Sequence, residues 1–149
     1  MSTESPPLLA RRLGYVLKQA QHGLRVRMDD ELRSVGLTTP QYAVLCCVEN
    51  EPGISNAGLA RAAFVTPQTT QGIIANLERD GFVVRAPDET HGRILCTKLT
   101  TKGRKVLEKS HRVVGVIEKQ LVKGISEKDS AHLLELLKKC AHNMLGAKL

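Results

Sequence analysis

The sequence predicts a mainly α fold with one small β-hairpin, arranged as a punctuated middle segment between two long amphipathic stretches. Three observations carry this. Apolar residues recur in steps of three and four through the first and last parts of the chain. The middle is cut into short runs by N-capping residues, Pro and Gly. Only FVVRA and RILCTKL, separated by the turn-rich PDETHG, have the β-branched, alternating character of paired strands.

Residues 1–7, MSTESPP, are polar and end in Pro, which predicts a disordered tail. From Leu9 the positions Leu9, Leu13, Val16, Ala20, Leu24, Met28 and Leu32 make one face of a long helix apolar, and Gly36 is expected at its C′ position. This helix is longer than one internal layer needs. A second subunit is the economical cover for its spare stripe.

Within the middle segment, Thr38 and Gln41 have capping-box spacing with Pro40 in the first turn, so a helix carrying Tyr42, Leu45 and Val48 runs to just before Pro52-Gly53. Ser55 caps a short second helix with Leu59, Ala60 and Ala63. Thr66 followed by Pro67 starts a third, with Ile73, Ile74 and Leu77, which Gly81 stops. The hairpin follows, and the order helix, helix, helix, strand, loop, strand is that of a winged helix-turn-helix. Thr100 then caps a helix with Val106, Val113 or Val114, Ile117 and Leu121, ending before Gly124. Ser126 and Asp129 open a last one through Leu133, Leu134, Leu137, Ala141, Met144 and Leu145.

The 149 residues suffice for one domain with one core, since chains of this size bury roughly 68–70% of their unfolded surface. With 3% aromatic residues and no Trp, that core is aliphatic. A formal charge of +7 favours a polyanionic partner, because Lys and Arg displace condensed counterions along nucleic acid. No apolar run reaches the roughly 18 residues of a membrane span, and MSTESPPLLARR lacks a signal-peptide core, so a soluble, cytoplasmic protein with no membrane partner is expected.

The third short helix opens with Thr66-Pro67-Gln68-Thr69-Thr70-Gln71, a polar tip on an otherwise apolar helix. With Val65, Ile73, Ile74 and Leu77 turned inward, helical spacing leaves Gln68, Thr69, Gln71 and Asn76 outside. Gln and Asn read adenine bidentately and Thr contacts a base or a thymine methyl, which suits a major groove. A solvated polar face is the competing account. The loop Pro87 to Arg93 places a guanidinium where it can enter a narrow minor groove, pair with Asp88 or Glu89, or stay in solvent. His91 is a second candidate cation, and the loop's acidic residues are expected to orient the arginine.

The blocks LTTPQYAVL, GLARAAFVTPQTTQGIIANLERDGFVVR, HGR and LTTKG, running in order from Leu37 to Gly103, resemble the signature blocks of the MarR family of winged helix-turn-helix transcriptional regulators. The resemblance covers nearly the whole chain. It implies a single domain over 1–149, with a DNA-binding lobe at 37–100 and dimerisation helices at 8–36 and 101–149. It also implies a recognition helix from Thr66 to Asp80, a wing from Pro87 to Arg93, and matching DNA-contact positions at Gln68, Thr69, Gln71 and Arg93. Where many members carry Asp-Arg-Arg, this chain has His91-Gly92-Arg93. The expected function is a ligand-responsive repressor binding a palindromic operator as a homodimer. A small aromatic or phenolic effector would sit between the dimerisation helices and the lobe, where Tyr15, Gln21, His22, Arg25, Tyr42 and Cys46 are the candidate contacts and Arg25 or His22 would meet a carboxylate.

Two other readings compete. A redox sensor would use a cysteine, but Cys46 and Cys47 point about 100° apart on a helix and have no cation within four positions to favour a thiolate. A helical interaction module would bind no DNA. An enzyme is not expected, since nucleotide-binding, zinc-protease and serine-hydrolase motifs are absent from the sequence. Nor is a metal site or cofactor, because the His and Cys residues lack ligand spacing.

Overall fold

The computed structural model describes residues 9–93 and 95–146. The expected tail at 1–7 lies outside the described residues. A 3-10 turn, Leu9–Arg11, leads into α1 (Leu13–Arg33), followed by α2 (Thr39–Asn50), α3 (Asn56–Ala62), α4 (Pro67–Arg79), β1 (Val83–Pro87), β2 (Leu95–Leu99), α5 (Thr101–Leu121) and α6 (Glu127–Leu145). The first helix therefore starts at Leu13 and not at Leu9. Its N-cap, Arg12, supplies no side-chain hydrogen bond, and the periodic apolar pattern runs on through the tighter turn.

The other helix starts fall where the capping residues place them. Thr38 and Gln41 form the reciprocal capping box, and Ser55, Thr66, Thr100 and Ser126 each accept a hydrogen bond from the backbone N–H three residues on. β1 and β2 pair antiparallel from Val83 opposite Leu99 to Pro87 opposite Leu95. β1 keeps the length of FVVRA but is shifted by one residue, leaving out Phe82 and taking in Pro87, and Arg93 lies in a turn before β2.

One core joins α2, α3, α4 and β1, through Val44, Leu45, Leu59, Ile74, Leu77 and Val83, and takes in Val106 and Leu107 of α5. The aliphatic composition is thus sufficient. α5 enters at close range because Gly103 has no side chain: a β-carbon there would lie 1.9 Å from the backbone oxygen of Phe82. α6 behaves differently. None of its residues is buried, and Leu133, Leu134, Leu136, Leu137, Met144 and Leu145 are all exposed.

Candidate nucleic-acid interface

The polar tip of α4 is built by its cap. The Thr66 hydroxyl accepts from the Thr69 N–H at 3.1 Å and donates to the Thr69 hydroxyl at 2.9 Å, while Pro67 fills the first helical turn, where no N–H partner is needed. Thr70, fully buried, returns its hydroxyl to the Thr66 carbonyl at 3.0 Å. With Ile74 and Leu77 locked in the core, Gln68, Thr69, Gln71 and Asn76 are exposed, as helical spacing requires. At about 100° per residue, Gln68 and Gln71 lie only about 60° apart around the axis, one turn from each other. Thr69 and Asn76 share a second line, some 10 Å apart along it. Among the described residues the amides of Gln68, Gln71 and Asn76 make no hydrogen bond within the chain, so their donors and acceptors remain available.

The hairpin is tied to the same helix. Arg85 on β1 donates from Nε at 3.0 Å and from Nη2 at 2.8 Å to Glu78 Oε2 near the end of α4. These hydrogen bonds hold the Glu78 carboxyl below its ordinary range. The wing tip is ordered by a carboxylate, but not through the arginine. Asp88 Oδ1 accepts from the backbone N–H groups of Thr90 at 2.7 Å and His91 at 2.9 Å, and the Cys96 thiol reaches Oδ2 at 3.4 Å. The N–H groups of His91 and Thr90 keep Asp88 below its ordinary value. The expectation that the loop's acidic residues orient Arg93 is therefore corrected: a short Asx-type turn captures Asp88 for the backbone. Among the described residues Arg93 has no ion pair, and it is exposed beside an exposed His91 and an unencumbered Gly92.

Arg93 and Arg85 border a cavity of about 410 Å³ with Asn56 of α3 and Gln71 of α4. Asn56 Oδ1 is buried there without a donor among the described residues. Sequence reasoning missed Asn56 and Arg85. The only signal for Arg85 is that it alternates with Val84 onto the side of the hairpin facing α4.

The expected effector residues divide. Arg25 of α1 lines a cavity of about 320 Å³ with Leu24, Met28, Ala43 of α2, and Phe64 and Val65 of the turn before α4. Its Nε lies 3.8 Å from Asp29 Oδ2, and Asp29 Oδ1 accepts the Thr39 hydroxyl. Tyr42 turns to α5 instead, where its hydroxyl is 3.0 Å from His111 Nδ1 and the rings meet edge-on at 5.7 Å. His111 Nε2 in turn lies 2.9 Å from Glu49 Oε2. Burial pushes the Tyr42 phenol well above its usual value and raises the Cys46 thiol. Tyr15 is half-buried and His22 exposed, both on α1.

Burial likewise raises Cys47, and burial together with the Asp88 carboxylate raises Cys96, so these thiols are further from thiolate than a free cysteine. Among the described residues no group of three His, Cys, Asp or Glu side chains is placed to hold a metal ion. No described helix is long and apolar enough to cross a membrane.

Residues 35–94 match the family model described as MarR family. The curated HTH-type transcriptional repressor Rv2887 of Mycobacterium tuberculosis is 32% identical over 127 residues, spanning 85% of this chain and 91% of the relative. Its structure in complex with salicylic acid superposes with a TM-score of 0.73 at 29% identity, covering 94% of this chain and 99% of that one. The transcriptional activatory protein BadR of Rhodopseudomonas palustris is 33% identical over 140 residues, 91% of this chain and 80% of the relative. The transcriptional repressor CouR bound to a 23-mer DNA duplex superposes with a TM-score of 0.82 at 26% identity, covering 91% of this chain and 96% of that one.

Proposed function

Because the chain belongs to the MarR family, we propose that it is a homodimeric regulator of transcription that grips duplex DNA with α4 and the hairpin and responds to a small aromatic acid. The observation that carries the reading is the tip of α4, where the amides of Gln68 and Gln71 have no partner among the described residues and Gln71 borders the same cavity as Arg93, which has no ion pair among them. The lobe is residues 37–100, and the segments 8–36 and 101–149 pair with a second copy. Thr66, Gln68, Thr69, Gln71 and Asn76 form the major-groove set, and Arg93 with His91 the wing set. CouR bound to a DNA duplex supports this arrangement. The relatives include a repressor and an activatory protein. The reading assigns the chain no catalytic step and places it in the cytoplasm.

Rv2887 bound to salicylic acid supports an aromatic acid as the effector class, and the cavity holding Arg25 is the place for it here. Of the candidate contacts, Arg25 is the anion partner, while Tyr42 and Cys46 act from behind the cavity on the α2–α5 contact, and Tyr15 and His22 flank it on α1. Redox sensing through Cys46 is disfavoured by the raised thiol.

The test is salt-titrated binding of the purified protein to an operator found by genomic footprinting, set against random duplex. Gln68→Ala or Gln71→Ala is expected to cost roughly 1–3 kcal/mol on the operator and to relax preference at individual base pairs. Equal weakening on random duplex would assign these side chains to the backbone. A chain that shows no salt-dependent duplex binding would be a helical interaction module.

Arg93 is the only arginine in the loop from Pro87 to Arg93, so its loss has no local substitute. Arg93→Ala is expected to weaken operator binding at least about tenfold, about 1.4 kcal/mol, and to reduce the salt slope by about one. Since Asp88 is engaged by backbone, the melting temperature should stay unchanged. A lowered melting temperature with full operator affinity would make Arg93 a brace of the hairpin.

A further inference from the structure

Phe64 combines two unfavourable circumstances. It is the non-glycine residue with a positive φ, +55°, among those described, and it is 73% exposed. A β-carbon is crowded in this left-handed region, where glycine or asparagine would form the same turn more easily. An apolar ring left in water is a further cost. The chain has only two Phe and two Tyr in 149 residues. The positive φ belongs to the turn that closes before Thr66, and it leaves the residue at its tip exposed and free to meet a molecule outside the chain.

Phe64 borders the cavity of about 320 Å³ shared with Leu24, Arg25, Met28 and Ala43, in which Arg25 is the charged lining residue. That volume lies near the lower end for small-molecule sites, roughly 300–1,000 Å³, and suits a single-ring acid. The Arg25 guanidinium stands 3.8 Å from Asp29, beyond a close hydrogen bond, and is 63% exposed, so its donors are open to a second carboxylate. We infer that Phe64 is the aromatic wall of this cavity, stacking on the ring of an aromatic carboxylate whose anion pairs with Arg25. The inference rests on the reading of this cavity as the effector site.

The position also explains why such a contact would be felt at the DNA. Phe64 and Val65 donate their N–H groups to Arg61 O at 3.3 Å and Ala60 O at 3.1 Å, closing the turn that ends at Thr66, the cap of α4. A ligand held on the ring bears on the turn that aims the recognition helix.

Calorimetric titration of the intact protein with benzoate and with cyclohexanecarboxylate tests this, since the two acids share charge and approximate size and only one has a π face. The wild type is expected to prefer benzoate by about fivefold, and Phe64→Leu to bind both acids equally. Arg25→Gln is expected to weaken both by about tenfold or more. Phe64→Gly, which takes the positive φ without crowding, should melt no lower than wild type and still lose the preference. Arg25-dependent binding with the aromatic preference intact in Phe64→Leu and Phe64→Gly would overturn the role of Phe64 and leave the effector cavity standing. Absence of binding of either acid to the wild type at millimolar concentration would overturn both.

Discussion

Removing residues 125–149 is expected to convert the protein to a monomer and to weaken operator binding by about a hundredfold or more. α6 has no buried residue in the single chain, and Leu133, Leu134, Leu136, Leu137 and Leu145 are each between 39% and 53% exposed. Apolar area left in water costs on the order of 25 cal/mol per Å², and a contiguous stripe of this kind is normally covered. α1 adds Leu13, Val16 and Leu17, also exposed. A second copy pairing through these faces holds two recognition helices on two half-sites. The second half-site then binds intramolecularly, a gain of about 10²–10⁴ that the truncated chain forfeits. The core from Leu37 to Leu107 contains nothing from α6, so the truncated lobe should still melt cooperatively. Light scattering reads the mass and a salt-titrated shift assay the affinity. A truncated protein that stayed dimeric with undiminished affinity would assign the pairing to α1 and α5 alone.

What was legible in the sequence is what is decided within a few residues. Thr38, Ser55, Thr66, Thr100 and Ser126 each cap the helix they precede because a hydroxyl three positions from a free N–H settles the matter locally. The exposed positions of α4 follow from periodicity alone, given Ile74 and Leu77 in the core. The candidate effector residues are not legible in the same way. Tyr42 and Ala43 are about 100° apart on α2, and which of them meets α5 and which meets the α1 cavity depends on how three helices cross. Arg93 illustrates the same limit at the wing: Asp88 sits close enough in sequence to pair with it, yet two backbone N–H groups one turn away claim the carboxylate first. Phe64 carries no sequence signal at all, since nothing in RAAFVT marks the positive φ that the turn before Thr66 imposes.

Gly103→Ala is expected to destabilise the protein by about 3 kcal/mol or more, against the sign that helix propensity alone would give. Alanine in a helix is favoured over glycine by roughly 1 kcal/mol, and Gly103 lies in the first turn of α5. The obstacle is backbone, not a side chain that could swing away. An added β-carbon would stand 1.9 Å from the Phe82 carbonyl oxygen and 2.9 Å from its carbon. That oxygen is held in place, because it accepts from the Thr100 N–H at 3.0 Å and lies 3.1 Å from the Thr100 hydroxyl, which also meets the Gly81 carbonyl at 2.6 Å. The same hydroxyl accepts from the Gly103 N–H at 2.9 Å as the cap of α5. Relief of the clash must lift the start of α5 off the hairpin. Lifting it loses hydrogen bonds worth about 0.5–1.5 kcal/mol each and shifts Val106 and Leu107 in the core, where overpacking by itself costs typically about 1–3 kcal/mol. At about 2–4 °C per kcal/mol for a chain of this size, the melting temperature should fall by roughly 6–12 °C. Gly72→Ala supplies the internal control. Gly72 lies inside α4, where an added β-carbon would meet nothing within 4 Å, so there the propensity gain should appear as equal or greater stability in the DNA-free protein. A Gly103→Ala protein as stable as Gly72→Ala would mean that the Phe82 carbonyl is free to move, and that α5 is not pinned to the wing by this contact.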